Sequence, residues 1–333
     1  MSLFRYPAIF SAAALAVGTL LFSCGGKQKT ETVAEDVQIT PVMTASADSL
    51  YNFVEDQVNF GPRTPGSEGH AACVDYIVRS VRKFGADTVM IHEAPVTTYV
   101  GETFTAKNIF ARFNPGATRR VLLLAHYDTR PWATEDCDKE ARMRPIDGAN
   151  DGGSGVSVLL EVARNLGLHP LDSVGVDLLF TDVEDSGQSE TWGAQEETWC
   201  LGTQEWVKDM PYDDTNRPEF GILLDMVGGK DAKFHREYFS QQHAKKYVDK
   251  VWAVADASGF GERFINDTGT SCLDDHVYIN RAGIPCIDII ENSNPSTYSF
   301  NPTWHTLGDN LGAIDSRTMR IVAQVVLNTL YNL

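Results

Sequence analysis

Four short apolar runs punctuate the chain: VLLLA (121–125), VGVDLLF (174–180), GILLDMV (221–227) and IPCIDII (284–290). Each has strand length, and so little polar interruption predicts burial on both faces of a sheet. Between and beyond them the apolar period lengthens to that of a helix. Residues 152–166 put Val156, Leu159, Leu160 and Ala163 on one face, and 241–258 do so with Ala244, Val248, Val251 and Ala255. Residues 316–331 repeat the pattern with Met319, Val322, Val326 and Leu330. Upstream, Cys73, Tyr76, Ile77, Val81 and Phe84 share a helical stripe, with Ser67 placed to cap it and Gly85 to stop it. Two β-rich runs within 86–114, DTVMIHEAPVTTYV and TFTAKNIFARFN, suit a hairpin. Apolar strands alternating with amphipathic helices predict an α/β fold, a mixed and mostly parallel central sheet flanked by helices on both faces. No repeat or linker divides it, so one domain is expected over residues 46–333.

The first residues read differently. Residues 8–22, AIFSAAALAVGTLLF, form an apolar run preceded by Arg5. That is signal-peptide length and short of the ~20 residues a membrane span needs. Leu21-Phe22-Ser23-Cys24-Gly25 resembles a bacterial lipoprotein box, so residues 1–23 are expected to be a signal peptide and Cys24 the lipid-bearing residue. Residues 24–45 are polar and lack a core pattern, as a tether would. The expectation is an exported, periplasmic protein held to the membrane only by that lipid, and a monomer.

Composition narrows the function. The 333 residues carry 28 Lys and Arg against 45 Asp and Glu, a formal charge of -17. With no basic block to offset it, such a surface repels nucleic acid. Cys73, Cys137, Cys200, Cys272 and Cys286 remain after Cys24, an odd number with no CxxC pair. That spacing excludes a cysteine-rich zinc site and leaves disulfide pairing open.

Ligands of open α/β sheets bind beyond the carboxyl ends of the strands. His126-Tyr127-Asp128 follows the first apolar run, Glu184-Asp185 follows the second, and Asp225 lies within the third. Asp151 opens the helix after Gly148-Ala149-Asn150. Each has a structural alternative: a helix cap for Asp151, a solvated loop for Glu184 and Asp185, a core histidine for His126. Together they bring carboxylates and imidazole to one edge, where facing acids require a cation or protons. The ligand set suits Zn²⁺. His70, His92, His169, His235 and His243 have no such setting.

These residues resemble a known family. GPRTPGS (61–67), HYDT (126–129), GANDGGSGV (148–156), VED (183–185), LLDMVG (223–228), DDH (274–276) and WHT (304–306) occur in the order seen in the zinc-dependent exopeptidase superfamily. Two of its branches are relevant: two-metal aminopeptidases, and single-zinc glutaminyl cyclases of the animal type. Asp274-Asp275-His276, the Trp304-His305 pair and the tryptophans of the 186–201 insertion resemble the cyclases. GANDGGSG and Asp185, where animal cyclases carry Glu, do not.

The cyclase resemblance implies one Zn²⁺ per chain held by Asp151, Asp185 and His305. It implies Glu184 as general acid/base, Asp225 and Asp275 as hydrogen-bonded acids at the reacting centre, and Trp304 with Trp192, or alternatively Trp199, as pocket walls. The implied substrates are peptides or proteins with N-terminal glutamine, closed to pyroglutamate with release of ammonia. In an aminopeptidase, Asp151 would bridge two metals, His126 and Asp225 would hold the second, and Asp128 would orient His126.

Overall fold

The computed structural model describes residues 39–40, 43–189 and 196–333. The expected signal peptide, Cys24, most of the tether and Trp192 lie outside the described residues.

The expected hairpin is present: β1 (Thr88–Thr97) pairs antiparallel with β2 (Thr103–Phe113). The four apolar runs become β3 (Arg119–His126), β4 (Val174–Thr181), β5 (Phe220–Asp225) and, after a separate pair, β8 (Cys286–Ile290). The main sheet runs β1-β2-β4-β3-β5-β8, with β4, β3, β5 and β8 parallel and the hairpin joined antiparallel through β2. It is therefore mixed and mostly parallel. Burial on both faces is resolved by alternation along each strand. Leu123, Leu178, Ile222 and Ile287 enter one large core, whereas Leu122, Leu124, Leu179 and Leu223 enter a second on the opposite face.

Helices α1 (Ala47–Val58), α2 (Glu68–Lys83), α3 (Gly153–Leu168) and α8 (Ser316–Tyr331) contribute to the larger core. Ser67 caps α2 by accepting from the His70 amide, and Gly85 follows it at φ +88°. The opposite face is covered by α4 (Leu201–Trp206) and α7 (Asp275–Arg281), through Trp206 and Ile279. The helix expected over 241–258 is two helices, α5 (Tyr238–His243) and α6 (Lys245–Ala257), broken at Ala244. A small parallel pair, β6 (Phe234–Arg236) and β7 (Phe264–Thr268), was not visible in the periodicity.

The ordered domain also starts before residue 46. Ile39 packs on the core, Ala45 is buried with its amide on Gln324 Oε1, and the Thr40 amide reaches Asn332 Oδ1. The end of the expected tether is thus part of the fold. Cys73, Cys137, Cys200, Cys272 and Cys286 are all free thiols.

Candidate active site

The chain leaves β3 through α3 to β4 on one side, while β5 lies on the other side of β3. The strand order therefore reverses at β3, and a crevice opens at its carboxyl end. His126 is the last residue of β3, Asp151 sits just before α3, Glu184 and Asp185 follow β4, and Asp225 ends β5. His305 comes from the loop between β8 and α8. All six are buried. Three neighbours hold left-handed backbone without being glycine: Val183 (φ 51°), Met226 (φ 46°) and His305 itself (φ 53°). Such conformations cost energy and concentrate at functional sites.

Asp151 is shared by two clusters. On one side His305 Nε2 lies 3.0 Å from Asp185 Oδ1 and 3.5 Å from Asp151 Oδ2. On the other, His126 Nε2 lies 3.0 Å from Asp151 Oδ1 and 3.2 Å from Asp225 Oδ1. Each trio has the reach to hold a metal ion. The first fits a zinc seat well. Asp185 Oδ2 is buried without a hydrogen-bond partner, and two carboxylates with one imidazole leave an open tetrahedral position. Burial, with Arg130 nearby, also drives His305 well below the usual histidine range, so its imidazole is neutral as ligation requires. Its contacts with Asp151 and Asp185 are consequently not ion pairs.

Backbone amides fix this arrangement. Asp309 accepts from the amides of Asn150 and Asp151 at 2.8 and 3.1 Å. Asp128 accepts from those of Glu184 and Asp185 at 3.0 and 3.1 Å, besides lying 3.6 Å from His126 Nδ1. Gly152 is needed because a Cβ there would meet the His126 carbonyl oxygen at 2.3 Å and Nε2 at 2.6 Å.

The acids of the site are hard to ionise together. Burial raises Asp185 to about 7 against the pull of Arg130 and His126. It raises Asp225 to about 6, with His126 opposing and Asp151 reinforcing the shift. Glu184 is pushed well above the carboxylate range by burial and by repulsion from Asp274, Asp185 and Asp275, against the pull of His126. Burial works against a charged His126, but Asp128, Asp151 and Asp225 outweigh it and raise its pKa.

A cavity of about 300 Å³ opens over these groups. Asp151, Glu184, Asp185, Asp225 and His305 line its polar side, and Trp199, Phe300 and Trp304 its apolar side. Trp304 stacks on His305 at 3.8 Å between ring centres, and Phe300 lies 4.5 Å from Trp304. Among the described residues, the insertion tryptophan that lines the cavity is Trp199.

The acid pair needs a correction. Asp275, expected at the reacting centre, is fully buried behind it, accepting from Thr181 Oγ1 at 2.5 Å, and does not line the cavity. Asp274 lines it instead. Behind Asp274, Asp288 is fully buried with both carboxylate oxygens unpartnered, and His276 Nδ1 lies 3.8 Å from one of them. Burial, then mutual repulsion with neighbouring acids, pushes Asp274 and Asp288 well above the carboxylate range. The sequence reading missed Asp274, Phe300, Arg130 and Asp309. Only Asp274 belonged to a motif that flagged it.

Comparison with known proteins places this geometry. Residues 108–330 match peptidase family M28. The structure superposes on the glutaminyl cyclase of Bacteroides thetaiotaomicron, bound to N-acetylhistamine, with a TM-score of 0.84 and 42% identity, covering 88% of this chain and all of that one. A leucine aminopeptidase precursor from the same organism gives a TM-score of 0.83 and 42% identity over 89% of this chain and all of that one. Aminopeptidase YwaD of Bacillus subtilis is 27% identical over 294 residues, 86% of this chain but only 57% of its own length. The ordered motifs, the sheet and the cluster at its carboxyl edge agree with these matches: the chain belongs to peptidase family M28.

Proposed function

We propose that this protein is a zinc-dependent glutaminyl-peptide cyclotransferase, closing an N-terminal glutamine to pyroglutamate with release of ammonia. One observation carries the reading: the Asp151, Asp185 and His305 trio and Glu184 share a small cavity walled by Trp199, Phe300 and Trp304. That volume suits one folded side chain, and the chain is similar in both sequence and shape to a glutaminyl cyclase of known structure.

Asp151, Asp185 and His305 would hold a single zinc ion per chain. When bound, it polarises the γ-amide carbonyl of the substrate and stabilises the charge that builds on its oxygen. The other work falls to side chains. The attacking group is the substrate's own α-amine, so the protein must fold the glutamine back on itself and keep water out. Trp199 and Trp304 do this, a proximity effect. Glu184, beside the trio without belonging to it, takes a proton from the amine and returns it to the departing nitrogen. Burial and the neighbouring acids raise its pKa well above the usual carboxylate range, which favours its holding a proton. Asp274 and Asp225 share protons with it, because so many close acids cannot all be charged.

The second reading is a two-metal aminopeptidase, favoured by the trio of His126, Asp151 and Asp225. Metal titration separates them. Zinc-free protein should recover activity on a Gln-peptide at one equivalent of zinc, with ammonia as product. Recovery only at two equivalents, with release of the terminal residue, would establish the aminopeptidase. Export, lipidation at Cys24 and a monomeric state complete the proposal. Labelling with a radioactive fatty acid that persists in a Cys24→Ala variant would exclude the anchor.

A further inference from the structure

Arg130 takes no part in the chemistry above, yet among the described residues it is the one arginine or lysine paired with an acid of the zinc trio. It is fully buried. Its Nη1 donates to the Asp185 carbonyl at 2.9 Å and lies 3.5 Å from Asp185 Oδ1. Nη2 donates to Ser189 Oγ at 3.3 Å and Nε to Thr134 Oγ1 at 3.1 Å. The guanidinium carbon is 4.9 Å from the ring centre of Trp199. Trp199 in turn lies parallel to His305, 6.1 Å between centres and 9° between planes. Its indole rests against Gly187 so closely that a Cβ there would come within 2.0 Å of it. One buried cation thus touches the carboxylate of the metal seat and the aromatic wall of the pocket.

We propose that Arg130 is a positioning residue that couples the two. A guanidinium keeps its charge under all ordinary conditions, and in a dry site that charge acts strongly on its neighbours. Shared with Arg130, the Asp185 carboxylate gives less of its charge to a metal, which therefore binds less tightly but remains a stronger electrophile. The same guanidinium, over the Trp199 ring, holds the indole in place through a cation–π contact. Lysine can supply the charge but not the flat face. The inference rests on the zinc reading above.

The test combines zinc affinity, measured on metal-free protein by chelator competition, with kcat and KM on a Gln-peptide. Arg130→Met removes the charge and keeps most of the volume. It should bind zinc at least ~10-fold more tightly while kcat falls ~10–100-fold, the range seen when groups behind a metal ligand are changed. A residue that only supported the fold would lose zinc affinity and activity together. Arg130→Lys should keep zinc affinity within about threefold and retain most of kcat, but raise KM as Trp199 loses its partner. Zinc binding in Arg130→Met that is no tighter than in the wild type overturns the inference. If that variant fails to fold, an unchanged KM in Arg130→Lys overturns it instead. A wild-type protein that binds no zinc would reject the zinc reading itself, a different failure.

Discussion

Glu184 owes its position to contacts separate from the metal seat: its amide donates to Asp128, its carbonyl accepts from the Cys200 amide, and the Cys200 thiol donates to its Oε1 at 3.3 Å. Glu184→Gln keeps the shape and removes the proton transfer. Turnover should fall ~10²–10⁴-fold with zinc still bound at one equivalent, and loss of metal would make Glu184 a ligand. Asp274 and Asp275 make opposite predictions. Asp274 faces the cavity, so Asp274→Asn should lower kcat with little change in melting temperature. Asp275 is locked to Thr181, so Asp275→Asn should act mainly on stability, by roughly 1–3 kcal/mol for a disturbed buried hydrogen bond. Denaturant melts beside kinetics of both variants decide it. Spacing could not choose between two adjacent acids. Their directions are set by the extended backbone of Asp274, which caps α7 by accepting from the Asp275 amide. Asp151 and Asp185 stood out because each adjoins a strand end or a distinctive loop, whereas His305 stood out only through the WHT motif of the resemblance. Arg130 was not, since nothing local to it in sequence shows that the chain at 185 and 199 returns to it.

At the scale of elements, the sheet was readable because strands buried on both faces are apolar at nearly every position. The short pieces were not: β6 and β7 have mixed burial, and α4, α5 and α7 are only six or seven residues long. What defines α5 is a side chain, Glu237, which accepts from the amides of Phe239 and Ser240 and, from outside the helix, of Cys272. Burial alone would raise the Glu237 pKa, but the His276 contact and these amides outweigh it and hold it at about 2. A carboxyl depressed in the fold stabilises fully above its unfolded value, ~4.5, and loses that contribution as pH falls towards about 2. The melting-temperature gap between wild type and Glu237→Gln should therefore be constant above pH ~5 and shrink below pH ~4.5. A gap independent of pH would contradict the assignment. The loop before α3 gives a second case. Gly152→Ala forces a methyl group against His126, a crowding that costs about 1–3 kcal/mol, and it should weaken zinc binding as Asp151 moves. Zinc affinity equal to wild type would show that the loop tolerates it.

For the whole molecule, the order of the strands explains why residues from 126 to 305 meet in one place. A parallel sheet sends all its carboxyl ends to one edge, and the reversal at β3 parts the connecting segments there. Three of the ordered motifs carried that information because they lie at strand ends: HYDT at the end of β3, VED after β4 and LLDMVG at the end of β5. The excess of acid over base is partly a property of the site, where Asp128, Asp151, Glu184, Asp185, Asp225 and Asp274 lie buried around one cavity or its supports. Such a cluster suits a cation and a substrate amine and repels anions. A cyclase and an aminopeptidase differ in which bond is made or broken. Purified protein should be offered two peptides that differ only in an N-terminal glutamine or leucine, and both followed by mass spectrometry. The glutamine peptide should lose the mass of ammonia and keep its length, while the leucine peptide stays untouched. Shortening of either peptide by one residue would contradict it and make the protein an aminopeptidase.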